Sequence, residues 1–198
     1  MEQLITRIIE TSILEWFAVI FGLSYVLLIS YNKRSGWIFA FISTLIFTYL
    51  CFIAQLYIEA SLQLFYVIMA IYGWIKWSAK KAKGLPIIKW PILRHIKYLA
   101  LGCFAVLILG FLIGSFTNQA SPYLDAFTTV FSLIATFMVA RKVLENWWYW
   151  IVIDFGLIFL YGSRGYTLTA VQYGLFTALA VFGWLKWRKL YKLQKQDA

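Results

Sequence analysis

Uncharged stretches follow one another along almost the whole chain: residues 16–32, 35–58, 60–75, 98–124, 126–140, 146–163 (broken once, by Asp154) and 165–185. A helix needs roughly 20 predominantly apolar residues to cross ~30 Å of hydrocarbon. The pattern therefore predicts seven membrane-crossing helices with short charged turns between them. It also repeats: Gly73-Trp74-Ile75-Lys76-Trp77 returns 110 residues later as Gly183-Trp184-Leu185-Lys186-Trp187, and at the same offset Trp37 corresponds to Trp147. Residues 13–77 and 123–187 thus form two triplets of spans, and the span near 98–114 has no partner. Three crossings leave the chain on the far side, so one extra crossing lets the second triplet begin where the first began. The expected fold class is an all-α integral membrane protein, seven transmembrane helices in a 3+1+3 parallel repeat within one membrane domain. The axis relating the triplets lies along the membrane normal, and in transporters the interface between such bundles is where substrate binds.

Composition agrees. The chain has 198 residues, of which 63% are hydrophobic and only 13% charged, too apolar for a soluble domain. The net charge of +10 would suit nucleic acid, but its distribution excludes that partner. With seven spans, one side receives two basic residues, Arg7 and Arg164, and the other receives sixteen. This is the positive-inside signature. It places the N-terminus outside and the C-terminus in the cytoplasm, with the basic side against anionic lipid. The first residues carry Glu2, Glu10 and Glu15 with only Arg7, so no cleavable signal peptide is expected. Cys51 and Cys103 fall inside predicted spans and read as small buried apolar residues, not a disulfide. Residues 78–122 form a connector and the lone helix. Within it, residues 80–97 hold five Lys, Arg94, Pro86, Pro91 and Trp90, which reads as a cytoplasmic segment lying partly on the headgroups. Residues 188–198 read as a short, frayed cytoplasmic tail.

Polar and aromatic positions inside the spans carry the candidate chemistry. Gln63, Tyr66, Ala70, Trp74 and Trp77 share one helical face, as do Tyr173, Phe176, Ala180, Trp184 and Trp187, with Gln172 beside them. A glutamine in hydrocarbon either bonds another helix or lines a hydrated cavity. Its recurrence in both triplets favours the cavity. Tryptophans at span ends are ordinarily interfacial belt residues, and Trp77 and Trp187 read that way. Flat aromatic walls also suit a planar cationic ring. In the sixth span Asn146, Trp147 and Trp150 precede Asp154, the one ionisable residue deep in a span. An intramembrane carboxyl is costly and marks either ligand contact or a structural bond to a neighbouring helix. His95 lies in the connector and reads as solvated. No Walker A sequence, HExxH, GxSxG or cysteine–histidine cluster is present, so neither an enzyme nor an ATPase is expected, and no cofactor or metal.

These residues resemble the Pnu family of bacterial vitamin transporters. The resemblance is carried by Gln55-Leu56-Tyr57 through Gln63, by Ile71-Tyr72-Gly73-Trp74 with Trp77, and by Arg141-Lys142 with Glu145-Asn146-Trp147, Trp150 and Asp154. It implies facilitated diffusion of an unphosphorylated vitamin, trapping by a cytosolic vitamin kinase, a homotrimer, and a full-length SWEET-like fold. Residue pattern and resemblance together give the candidate substrate-binding set Trp37, Gln63, Tyr66, Trp74, Asn146, Trp147, Trp150, Asp154, Gln172, Tyr173 and Trp184. Two departures from the nicotinamide riboside branch stand out: Ala70 and Asp154 replace asparagines. A carboxyl suits an aminopyrimidine, so the expectation leans to the thiamine branch, with nicotinamide riboside as the alternative. A SWEET-like sugar carrier and a non-transporting receptor are weaker readings.

Overall fold

The computed structural model describes residues 13–55, 57–78, 85–117, 121–165 and 167–196, excluding the side chains of Ile58 and Leu168. Arg7, Glu2 and Glu10, Leu56, and Lys80, Lys81 and Lys83 of the connector lie outside the described residues. The elements are all helical: α1 (Ile13–Ser30), α2 (Gly36–Ile53), α3 (Tyr57–Trp77), α4 (Ile92–Phe116), α5 (Pro122–Ala140), α6 (Asn146–Ser163) and α7 (Thr167–Gln196). Helices α1, α2, α4 and α5 are long and apolar enough to cross a membrane by length and composition. Helices α3, α6 and α7 carry the glutamines, Asp154 and most of the tryptophans singled out above. The chain divides into two units, Met1–Leu85 and Pro86–Ala198.

In the first unit α2 packs against both α1 and α3. The α1–α2 turn is a helix C-cap with Asn32 in the left-handed region at φ 57°. The Asn32 N–H donates to Ile29 O and the Lys33 N–H to Leu28 O, at 2.8 and 2.9 Å. These two bonds satisfy carbonyls the helix would otherwise leave orphaned. Buried Ser43 donates to Ala18 O at 2.7 Å and ties α2 to α1.

The second unit repeats this construction. Lys142 takes φ 53° at the end of α5, and the Lys142 and Val143 N–H groups donate to Val139 O and Met138 O, each at 2.9 Å. At the opposite end Gln55 and Gly165 also share positive φ, 59° and 78°. The 110-residue offset relates each pair, so the repeat extends to turns whose side chains differ: Asn32 against Lys142, Gln55 against Gly165. Lys142 is buried, and loss of solvent lowers its ammonium pKa to about 8.

Helix α4 packs on α5 within this unit. Gly102 and Gly110 make the close approach, since a Cβ at Gly110 would come 2.3 Å from the Tyr123 ring. The segment before α4 is docked onto protein in part, a contact the sequence did not announce. Ile88 pairs in parallel with Val143, its N–H donating to Lys142 O and its carbonyl accepting from Leu144 N–H. The Trp90 ring stacks on Tyr98 at 4.8 Å beside Met138 and Val143. His95 is not solvated: Nδ1 lies 3.0 Å from the Tyr149 hydroxyl, and Nε2 3.9 Å from Glu145.

The expected frayed tail is also corrected. Helix α7 continues unbroken to Gln196, and Gln194 Oε1 accepts from the Ile87 N–H at 3.2 Å. The connector gives this extra helix something to bond, which no local propensity could reveal. The two cysteines are free, but Cys103 is exposed, not buried, on α4. A small thiol is indifferent to whether it meets protein or lipid.

Candidate functional site

Each unit holds a tryptophan seated on a glycine. In the first, the Trp37 indole lies over Gly73, so close that a Cβ there would sit 2.3 Å from the ring. Trp77 meets Trp37 edge-on at 5.7 Å and 84°. In the second, Trp147 lies over Gly183, where a Cβ would be 2.5 Å away, and Trp187 meets it at 5.4 Å and 88°. Edge-to-face contact at these distances matches the ring quadrupoles. Trp77 and Trp187 are therefore core residues, 6% and 0% exposed, not belt residues. A belt tryptophan and a core tryptophan look alike in sequence; the glycine seat separates them. Trp37 and Trp147 are themselves buried, and the Nε1 of each has no acceptor.

The other candidates fall into two sets, one in each unit. In the first, Gln63, Tyr66 and Trp74 are half-buried along one face of α3. The Arg34 guanidinium, which the sequence offered only as a determinant of orientation, covers Trp74 at 3.5 Å. In the second unit Asn146 opens α6, fully buried, its Nδ2 donating to Val143 O at 2.7 Å and its Oδ1 unpaired. Trp150 and Asp154 follow on the same face, one turn apart. Trp150 is half-buried against the cluster of Phe131, Ala135 and Ile153. On α7, Gln172 and Tyr173 are half-buried, and Tyr173 stacks on Tyr161 at 5.5 Å and 11°. Trp184 meets the edge of Trp148 at 5.0 Å, with Arg188 over its ring at 5.1 Å.

Hydrogen bonding separates the open alternatives. Among the described residues neither Gln63 nor Gln172 bonds another side chain or backbone group. Asp154 is 3% exposed and likewise has no hydrogen bond or ion pair among the described residues. A structural carboxyl would hold a neighbouring helix. An unpaired one at this depth is expensive unless a ligand meets it. The described residues contain no cluster of three acidic, histidine or cysteine ligands that could hold a metal.

The residues that sequence reasoning missed are Arg34, Tyr25 and Trp148. Tyr25 packs against Trp37 at 5.6 Å. The available signal for Arg34 was its place three residues before Trp37, in a turn that α3 ends beside.

Curated transporters match the chain in sequence. The Nicotinamide riboside transporter PnuC of Escherichia coli is 26% identical over 205 residues, spanning 90% of this chain and 86% of that protein. Its namesake in Neisseria mucosa is 26% identical over 194 residues, 88% of this chain and 72% of that one. The Riboflavin/roseoflavin transporter RibM of Streptomyces davaonensis is 27% identical over 126 residues, 60% and 58% of the two chains. The crystal structure of the vitamin B3 transporter PnuC superposes with a TM-score of 0.74 at 22% identity, covering 96% of this chain and 86% of that one, and confirms the seven-helix fold. The family profile described as Nicotinamide mononucleotide transporter matches residues 12–189. The chain therefore belongs to this family, as a multi-pass membrane transporter of the PnuC vitamin type and not an enzyme.

Proposed function

We propose that the protein takes up nicotinamide riboside, or a vitamin of the same chemistry, by facilitated diffusion. The observation that carries the reading is Asp154: a buried carboxyl with no hydrogen bond or ion pair among the described residues, one helical turn from the half-buried Trp150 ring. A positively charged, flat heteroaromatic ring satisfies both groups at once, through Coulombic attraction and stacking. The pyridinium of nicotinamide riboside has that form. The names of the relatives support it over thiamine, which the Asp154 carboxyl alone would favour. Thiamine remains the second reading, because its aminopyrimidine can pair with a carboxyl. In the uptake scheme the basic side is cytoplasmic, a cytosolic kinase phosphorylates the vitamin and traps it, and the protein works as a homotrimer.

Uptake into proteoliposomes tests the mechanism. Preloaded unlabelled nicotinamide riboside should accelerate entry of labelled substrate, and dissipating proton and sodium gradients should leave the initial rate unchanged. Accumulation that requires either gradient would contradict facilitated diffusion.

A further inference from the structure

Trp74 is exposed enough to meet a ligand, yet one face of its ring is already taken. The Arg34 guanidinium carbon lies 3.5 Å from the ring centroid. That is contact distance for stacked planar groups, about 3.5–4.0 Å, so nothing can pass between them. Among the described residues Arg34 forms no ion pair, and its buried Nε has no hydrogen-bond partner. In the same turn the Asn32 Oδ1 is also buried and unpaired. Among the described residues the aromatic face is thus the contact that holds the Arg34 guanidinium, and no carboxylate pairs with it.

The second unit is built differently. The offset that matches Trp74 to Trp184 matches Arg34 to Leu144. Trp184 is met by Trp148 and, from the next turn of its own helix, by exposed Arg188 at 5.1 Å. A cation delivered from a separate turn to within 3.5 Å of the ring centroid is found in the first unit.

A guanidinium is planar, delocalised and permanently charged. A pyridinium or thiazolium ring shares these properties. We propose that Arg34 is a specificity-determining residue that occupies the Trp74 face as a resident substitute for a cationic heteroaromatic ligand. Substrate and Arg34 compete for one aromatic surface. The side chain lowers equilibrium affinity for the cation, covers the ring when no substrate is present, and hastens release by returning to it. This inference rests on the proposed uptake of a cationic vitamin.

Calorimetric titration of the purified protein separates the possibilities. Arg34→Gln should tighten binding of nicotinamide riboside about 3- to 10-fold, the range set by loss of a competing cation–π contact. Arg34→Lys, which keeps the charge without the plate, should fall between wild type and Arg34→Gln and guards against a folding defect. The uncharged reduced form of nicotinamide riboside should bind wild type and Arg34→Gln within a factor of about two, since it gains little from the ring quadrupole. In a Trp74→Leu background the effect of Arg34→Gln on the cation should vanish. An unchanged or weakened cation affinity in Arg34→Gln, with wild type binding normally, would overturn the Arg34 proposal alone. Persistence of the effect in Trp74→Leu would also overturn it, since that marks general charge repulsion. Failure of wild type to bind either nicotinamide riboside or thiamine would bring down the transport reading and this proposal together.

Discussion

Gly183→Ala and Gly73→Ala should each destabilise the protein, by about 1–3 kcal/mol or more. In an ordinary helix interior the same change stabilises by up to about 1 kcal/mol, because alanine is the better helix former. The sign is therefore informative. A Cβ at Gly183 would sit 2.5 Å from the Trp147 ring, and one at Gly73 2.3 Å from the Trp37 ring. Neither indole is the loose end of a flexible chain. Each is buried and pinned edge-on by a second tryptophan, Trp187 or Trp77. Relief requires the helices to separate, and the change to valine should abolish a monodisperse protein. Gly174, on the same helix as Gly183, supplies the control, because a Cβ there meets nothing within 4 Å. Gly174→Ala should leave the melting temperature in detergent unchanged or raise it. A raised melting temperature in Gly183→Ala would contradict the packing described.

Asp154→Ala should separate binding from stability. Substrate affinity is expected to fall about 10- to 100-fold, the range for losing a contact to a charged group. The melting temperature should hold or rise, because Asp154 has no hydrogen bond or ion pair among the described residues, so its removal orphans no partner. Burying a carboxyl without a partner costs stability. Asp154→Asn keeps the shape and a hydrogen-bonding group, and it restores the residue of the nicotinamide riboside pattern. It should retain binding of nicotinamide riboside better than binding of thiamine. Calorimetry and thermal unfolding on the same preparations check both halves. A fall in melting temperature with unchanged affinity would make Asp154 structural.

Much of this architecture is legible in the chain because membranes tolerate so few alternatives. Every backbone group must be satisfied internally, so uncharged runs near the length of a bilayer become helices. Seven such runs are expected, and seven helices stand among the described residues. The Gly-Trp repeat also marks true equivalence, since each glycine seats a tryptophan at the same sequence separation. The function of that tryptophan was not legible. Hydropathy and periodicity cannot distinguish a ring at the lipid interface from one pressed between helices, and Trp77 and Trp187 were misplaced for this reason. His95, Glu145 and Tyr149 are brought together only because the connector pairs with the α5–α6 turn, a contact between distant segments with no local signature. Arg34 illustrates the same limit. Its charge says which side of the membrane it favours, whereas its position over Trp74 depends on how α3 ends beside the α1–α2 turn.

The candidate residues differ in what they have left to offer. Trp37 and Trp147 are enclosed by protein, so their influence on a ligand acts through the rigidity they give each unit. Among the described residues the Gln63 and Gln172 carboxamides have no hydrogen-bond partner, and Trp74, Trp150, Tyr173 and Trp184 are only half-buried. These last, with Asp154, are the groups through which a change of vitamin would be felt.

On the proposed function this membrane protein selects a cationic heteroaromatic vitamin. The most direct measurement is a titration of the purified protein with nicotinamide riboside, thiamine and riboflavin, followed by intrinsic tryptophan fluorescence and calorimetry. The expected result is saturable binding of nicotinamide riboside, weaker binding of thiamine, and a fall of about 10- to 100-fold in both affinities in Asp154→Ala. Saturable binding of uncharged riboflavin alone, indifferent to Asp154, would contradict it.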